Sequence, residues 1–217
     1  MLSTSRPAVL ALALVILPWA GVRAANTPGV ASQEHIDLLG WSAGTQRAGL
    51  YAMQHPERVA KLILYAPAWK GTAEYRERVR KRIENGGHPL RHYRINTEAA
   101  ARSDFVDGEL GLHPQFEEDV VARYAREALQ TDPQSPNAFV GDATLPILDP
   151  LRITVPTMII FGEYDYYANE EDLLPFFAQL KTRDKRFVLL PHGGHALMLE
   201  KDHRRFQQEV LGFFDRP

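Results

Sequence analysis

Apolar positions along the chain fall into two textures, and the boundary between them predicts the organisation. His35 to Gly40 is a short apolar strand that closes on glycine. Ala43 to Gln54 follows as a helix with Ala48, Leu50, Tyr51 and Met53 at apolar positions, and Pro56 stops it. Val59 to Tyr65 is a nearly continuous apolar run, the pattern of a parallel strand covered on both faces. The same texture returns with a strand at Thr157 to Phe161, a helix at Glu171 to Leu180 and a strand at Arg186 to Leu190. A closing amphipathic helix carries Phe206, Val210, Phe213 and Phe214. Strands alternating with helices predict an α/β fold around a parallel sheet.

Between Gly71 and Pro150 the chain turns charged and helical. Thr72 is placed to cap a helix with Tyr75, Val79 and Ile83 on one stripe. Pro114 is expected to open a second helix, with acidic Glu117, Glu118 and Asp119 in its first turn and a stripe of Phe116, Val120 and Tyr124. The stretch from Thr131 to Pro136 ends it. Residues 70–149 therefore read as a helical cap inserted between two parts of a core, 35–69 and 150–217. Phe105, Phe116, Tyr124 and Phe139 either line a pocket under that cap or pack it onto the core. The run from Arg76 to Arg82 is basic but shares its helix with the apolar stripe, which makes it a solvated face rather than a nucleic-acid site.

The N-terminal residues 1–24 follow neither texture. Arg6 precedes an apolar run from Ala8 to Ala20, and small residues around Val22-Arg23-Ala24 offer a cleavage site. That order predicts a signal peptide and export to the periplasm or medium; a buried segment or an uncleaved anchor is the rival reading. Residues 25–34 read as linker.

Composition changes the picture mainly by exclusion. Of 217 residues, 45% are hydrophobic, enough for a real core, and the net charge of −2 gives no general attraction to nucleic acid. With no cysteine in the chain, disulfides, thiolate metal sites and a cysteine nucleophile are all excluded. His88, His92 and His113 have no repeated metal-ligand spacing.

The candidate chemistry sits at the ends of the predicted strands. Gly40-Trp41-Ser42-Ala43-Gly44 joins a strand to a helix, a turn that lifts a serine hydroxyl above the sheet and turns the next backbone N–H, that of Ala43, toward a substrate oxyanion. Its tightness is expected to require both glycines. A serine becomes nucleophilic only when a base takes its proton and an acid orients that base. Asp165 follows the strand Thr157 to Phe161, and His195 follows the next strand, in the chain order such an elbow requires. Asp165 can equally be a turn residue or a helix cap, and His192 competes with His195 from three residues away.

These motifs resemble the α/β-hydrolase superfamily. Phe161-Gly162-Glu163-Tyr164-Asp165 looks like its acid-bearing motif, and Gly194-His195-Ala196-Leu197-Met198-Leu199-Glu200 looks like its histidine motif. The resemblance implies a serine hydrolase with Ser42 as nucleophile, His195 as general base then acid, Asp165 orienting His195, and Ala43 as an oxyanion donor. It implies a small ester or amide substrate that Trp41 helps to bind, and neither cofactor nor metal. The same resemblance leads one to expect several strands before the elbow, with a His-Gly loop carrying a second oxyanion donor, and neither precedes Ser42 here. The expectation is a fold shortened at its N-terminal side, with the elbow strand's edge open to self-association. Two alternatives follow: a relative with little or no turnover, or a protein that binds a ligand or partner without processing it.

Overall fold

The computed structural model describes residues 35–84, 93–95, 97–102, 115–131, 133–136, 145–165 and 167–216. The predicted signal peptide and linker, and Phe105, Pro114 and Phe139, lie outside them. Four parallel strands form the main sheet: β1 (Ile36–Trp41), β2 (Val59–Tyr65), then, after the cap region, two more. In chain order the other elements are α1 (Ala43–Gln54), α2 (Ala73–Glu84), β3 (Tyr93–Ile95), α3 (Glu98–Arg102), α4 (Glu118–Thr131) and β4 (Gln134–Pro136). Then follow β5 (Thr157–Gly162), α5 (Glu170–Gln179), β6 (Lys185–Leu190) and α6 (His203–Phe214).

The sheet order is β1-β2-β5-β6, so each crossover steps one strand in the same direction. Gly40 pairs with Leu64 and Trp41 with Tyr65, Tyr65 pairs with Ile160, and Ile160 with Val188. This register brings Ser42, Ala66, Asp165 and the loop after Leu190 to one end of the sheet, the carboxyl end, where ligand sites of parallel sheets gather. Every residue of β5 is buried, which requires helices on both faces. Leu173 and Phe176 of α5, Phe206, Val210 and Phe213 of α6, and Ala48, Ala52 and Met53 of α1 join the strands in one core. Each large side chain buried there contributes about 1.5–3 kcal/mol.

β1 is different. It pairs with β2 alone, and among the described residues no strand occupies its other side. Only Gly40 of its six residues is fully buried.

The cap region is held where it leaves and rejoins the core. Asp172, in the first turn of α5, accepts the backbone N–H groups of Trp69, Lys70 and Gly71 at 2.7, 3.0 and 3.2 Å. The Trp69 indole donates to Leu148 O at 3.0 Å, joining the core residue just before the insertion to a residue near the insertion's end. Tyr75 N–H donates to the Thr72 hydroxyl at 3.1 Å, the cap expected for α2, and Tyr75 and Val79 are buried.

Three expectations change. The second cap helix begins at Glu118 rather than after Pro114, leaving Phe116 and Glu117 before it. Its buried positions are Val121 and Ala125, one step on from the stripe of Val120 and Tyr124, and α3 packs against this helix. The stretch after Thr131 does not merely end the helix: Gln134–Pro136 pairs antiparallel with Tyr93–Ile95.

Candidate active site

The turn between β1 and α1 has an unusual backbone. Ser42 sits at φ 50°, ψ −123°, a conformation that costs a non-glycine residue about 1–3 kcal/mol and persists only when its surroundings enforce it. They do so from both sides. Ser42 N–H donates to Tyr65 O at 2.9 Å, extending the β1–β2 ladder, and Ser42 O accepts Thr45 N–H at 2.9 Å and the Thr45 hydroxyl at 2.5 Å. A serine at a helix start ordinarily turns its hydroxyl onto the helix as a cap, but here it makes no cap hydrogen bond. Ala43 is exposed at the first position of α1, among the N–H groups that have no partner within the helix.

The elbow's two glycines are not equivalent. A Cβ at Gly40 would lie 2.5 Å from Gly44 O and 2.8 Å from Ala48 Cβ, so the close approach of β1 to α1 excludes any side chain. A Cβ at Gly44 would meet none of the described atoms within 4 Å. The expectation that tightness demands both glycines is corrected: packing requires only Gly40.

Asp165 and His195 are brought together. Asp165 Oδ2 lies 2.9 Å from His195 Nδ1, with both residues buried. The other carboxylate oxygen, Oδ1, accepts Tyr167 N–H at 2.9 Å and Ala168 N–H at 3.1 Å. Asp165 thus fills the turn role and the histidine-orienting role at once, one with each oxygen. His192 lies elsewhere: it is exposed at φ 61°, its Nδ1 is 3.0 Å from the Tyr164 hydroxyl, and its N–H donates to Glu163 at 2.8 Å.

Ser42 and His195 are linked through Trp41. The Trp41 indole N–H donates to His195 O at 2.9 Å, and its ring centroid is 5.5 Å from that of the imidazole. No hydrogen bond between the Ser42 hydroxyl and His195 occurs among the described residues. The Tyr167 ring is 4.8 Å from the imidazole and meets Tyr75 of α2 edge-on at 5.8 Å, so α2 reaches the histidine through two tyrosines.

Sequence reasoning did not single out three site residues. Tyr65 donates its hydroxyl to His195 O at 2.8 Å; its buried phenol, close to the carboxylates of Asp165 and Glu200, is held protonated well above the usual tyrosine range. Tyr167 is the imidazole's neighbour described above. Glu200 is buried and accepts Gly194 N–H at 2.8 Å and Ala196 N–H at 3.1 Å. Burial pushes its carboxyl up to about 7; the two N–H donors and His195 oppose that rise, and Asp165 adds to it. A signal existed for Glu200, as the last residue of the histidine motif, and for Tyr65, as the last residue of a strand beside the elbow. Among the described residues, no group of three or more acidic or histidine side chains is placed to hold a metal ion.

A sequence profile described as the alpha/beta hydrolase fold matches residues 31–202. No curated protein sequence matches the chain. Among solved structures, the chain resembles the enol-lactonase from Burkholderia xenovorans LB400, with TM-score 0.59 and 18% identity over 84% of this chain and 66% of that one. A hydrolase from Pseudomonas aeruginosa PA01 gives TM-score 0.56 and 21% identity over 84% and 66%. The thioesterase domain from the curacin biosynthetic pathway gives TM-score 0.52 and 18% identity over 82% and 66%. The chain therefore spans just under two thirds of the length of each of these structures.

Proposed function

Because this chain belongs to the α/β-hydrolase fold family, we propose that it is a serine hydrolase cleaving a small ester or amide through an acyl-enzyme on Ser42. The observation that carries this reading is the buried Asp165–His195 pair at the same sheet end as the strained Ser42 turn. His195 Nδ1–H donates to Asp165, which leaves Nε2 as the basic nitrogen. That nitrogen takes the Ser42 proton as the hydroxyl oxygen attacks the substrate carbonyl carbon. The oxyanion that forms is met by Ala43 N–H. His195 then gives the proton to the leaving alcohol or amine, the bond to it breaks, and a water activated in the same way releases the acid and frees Ser42. Trp41 and Tyr167, both beside the imidazole, form walls against which the substrate rests.

One oxyanion donor in place of two costs about 100- to 1,000-fold in turnover, so slow hydrolysis is expected where Ala43 acts alone. Hydrolysis of a graded panel of nitrophenyl esters should be detectable and should vanish in Ser42→Ala and His195→Ala. Equal rates in wild type and Ser42→Ala would overturn the reading. The segment 1–24 is proposed to direct export and be removed; Edman sequencing of the mature protein starting near residue 25 is the expected result.

A second reading, self-association, is favoured by β1. Ser42 N–H bonds β2, as do its alternates Gly40 and Leu38, so the N–H groups of Asp37, Leu39 and Trp41 point to the side that no described strand covers. Such an edge is a template for another strand, and a second copy of this chain offers the same one.

A further inference from the structure

His195 is held by its backbone as well as by Asp165. The peptide unit joining His195 to Ala196 is gripped at both edges: its carbonyl accepts the Trp41 indole and the Tyr65 hydroxyl, and its N–H donates to Glu200 Oε1. The unit joining Gly193 to Gly194 is gripped in the same way, its carbonyl by Tyr164 N–H at 2.8 Å and its N–H by Glu200 Oε2. One carboxylate is the acceptor for both. With two glycines just before the histidine, the loop has little intrinsic preference for this shape, and the grip must come from partners. Glu200 is itself fixed, because its carbonyl accepts His203 N–H at 3.0 Å and lies 2.8 Å from His203 Nδ1 at the start of α6.

We propose that Glu200 is a positioning residue: its carboxylate brackets His195 and sets the orientation in which the imidazole meets both Asp165 and Ser42. This rests on the hydrolase reading for its consequence in turnover, but not for its consequence in geometry. A glutamine at 200 keeps one acceptor and turns an NH₂ toward the second backbone donor, so the bracket opens on one side. An alanine opens it on both. The charged and titratable groups facing Glu200 are Asp165 from the loop after β5, Tyr65 from β2 and His195 from its own loop. Protonation of Glu200 weakens both acceptors, so the bracket loosens in acid.

Two readouts test this on the full chain. In proton NMR without substrate, the His195 Nδ1–H bonded to Asp165 should give a protected downfield signal, assigned by its loss in His195→Ala. It should broaden or vanish in Glu200→Gln and Glu200→Ala. In ester hydrolysis, kcat should fall about 10- to 100-fold with KM within about twofold, the size of effect that a misplaced catalytic group produces. The acid limb of the wild-type pH profile should also be steeper than that of Glu200→Gln, which has one fewer group to titrate. A signal and kcat unchanged in folded Glu200→Gln would overturn the proposal. If no hydrolysis is found even in the wild type, the hydrolase reading fails, and the NMR signal alone still decides whether Glu200 orients His195.

Discussion

At the scale of single residues, the site combines the strained turn at Ser42 with several buried polar groups that have hydrogen-bond partners. Glu200 makes a stability prediction independent of activity. Its carboxyl titrates near 7 in the folded chain against an ordinary value of 4.5. Folding therefore takes up a proton between those two values, and this group's contribution falls as pH rises across that window. Above the window, the wild type bears the full cost of the buried charge. Melting temperatures measured from about pH 5 to about pH 8 should fall for the wild type relative to Glu200→Gln; a constant difference would contradict the assignment. Ser42, Asp165 and His195 were legible because each chemistry-bearing residue type follows a recognisable strand. Glu200 and Tyr65 were less so, because their partners are backbone groups of a loop 6 and 130 residues away, and composition does not report such bonds.

At the scale of elements, most boundaries could be read directly. α1 and β2 run as expected, since Pro56 and a solid apolar strand leave few alternatives. The cap was read less well: the buried stripe of α4 lies one position on from the expected one, at Val121 and Ala125. The β3–β4 pair was not foreseen, as three-residue strands carry almost no alternation to detect. Gly40 and Gly44 look alike in sequence and differ in packing. Gly40→Ala should destabilise the chain strongly, whereas Gly44→Ala should be neutral or stabilising by up to about 1 kcal/mol, since alanine favours a helix. Chemical denaturation of the two variants checks this. Asp172 holds the start of the cap region with one carboxylate and three backbone donors. Asp172→Ala leaves the Trp69 and Gly71 donors buried without an acceptor and should cost about 3 kcal/mol.

At the scale of the whole molecule, the described parallel sheet of four strands carries the serine turn on β1, beside which no other described strand lies except β2. The solved structures that the chain resembles are covered to 66% of their own length. The open side of β1 predicts that the mass seen by light scattering rises with concentration. Leu39→Pro, which removes a donor facing that side but none facing β2, should return it to the monomer with the fold intact. A concentration-independent mass in the wild type would end the self-association reading.

The central claim is that Ser42 is an activated nucleophile. It is tested most directly by treating the folded chain with a fluorophosphonate and measuring its intact mass. One covalent adduct is expected, mapped to the Ser42 peptide, absent in Ser42→Ala and strongly slowed in His195→Ala. A folded wild-type chain that stays unmodified, or an adduct that persists in Ser42→Ala, would contradict it.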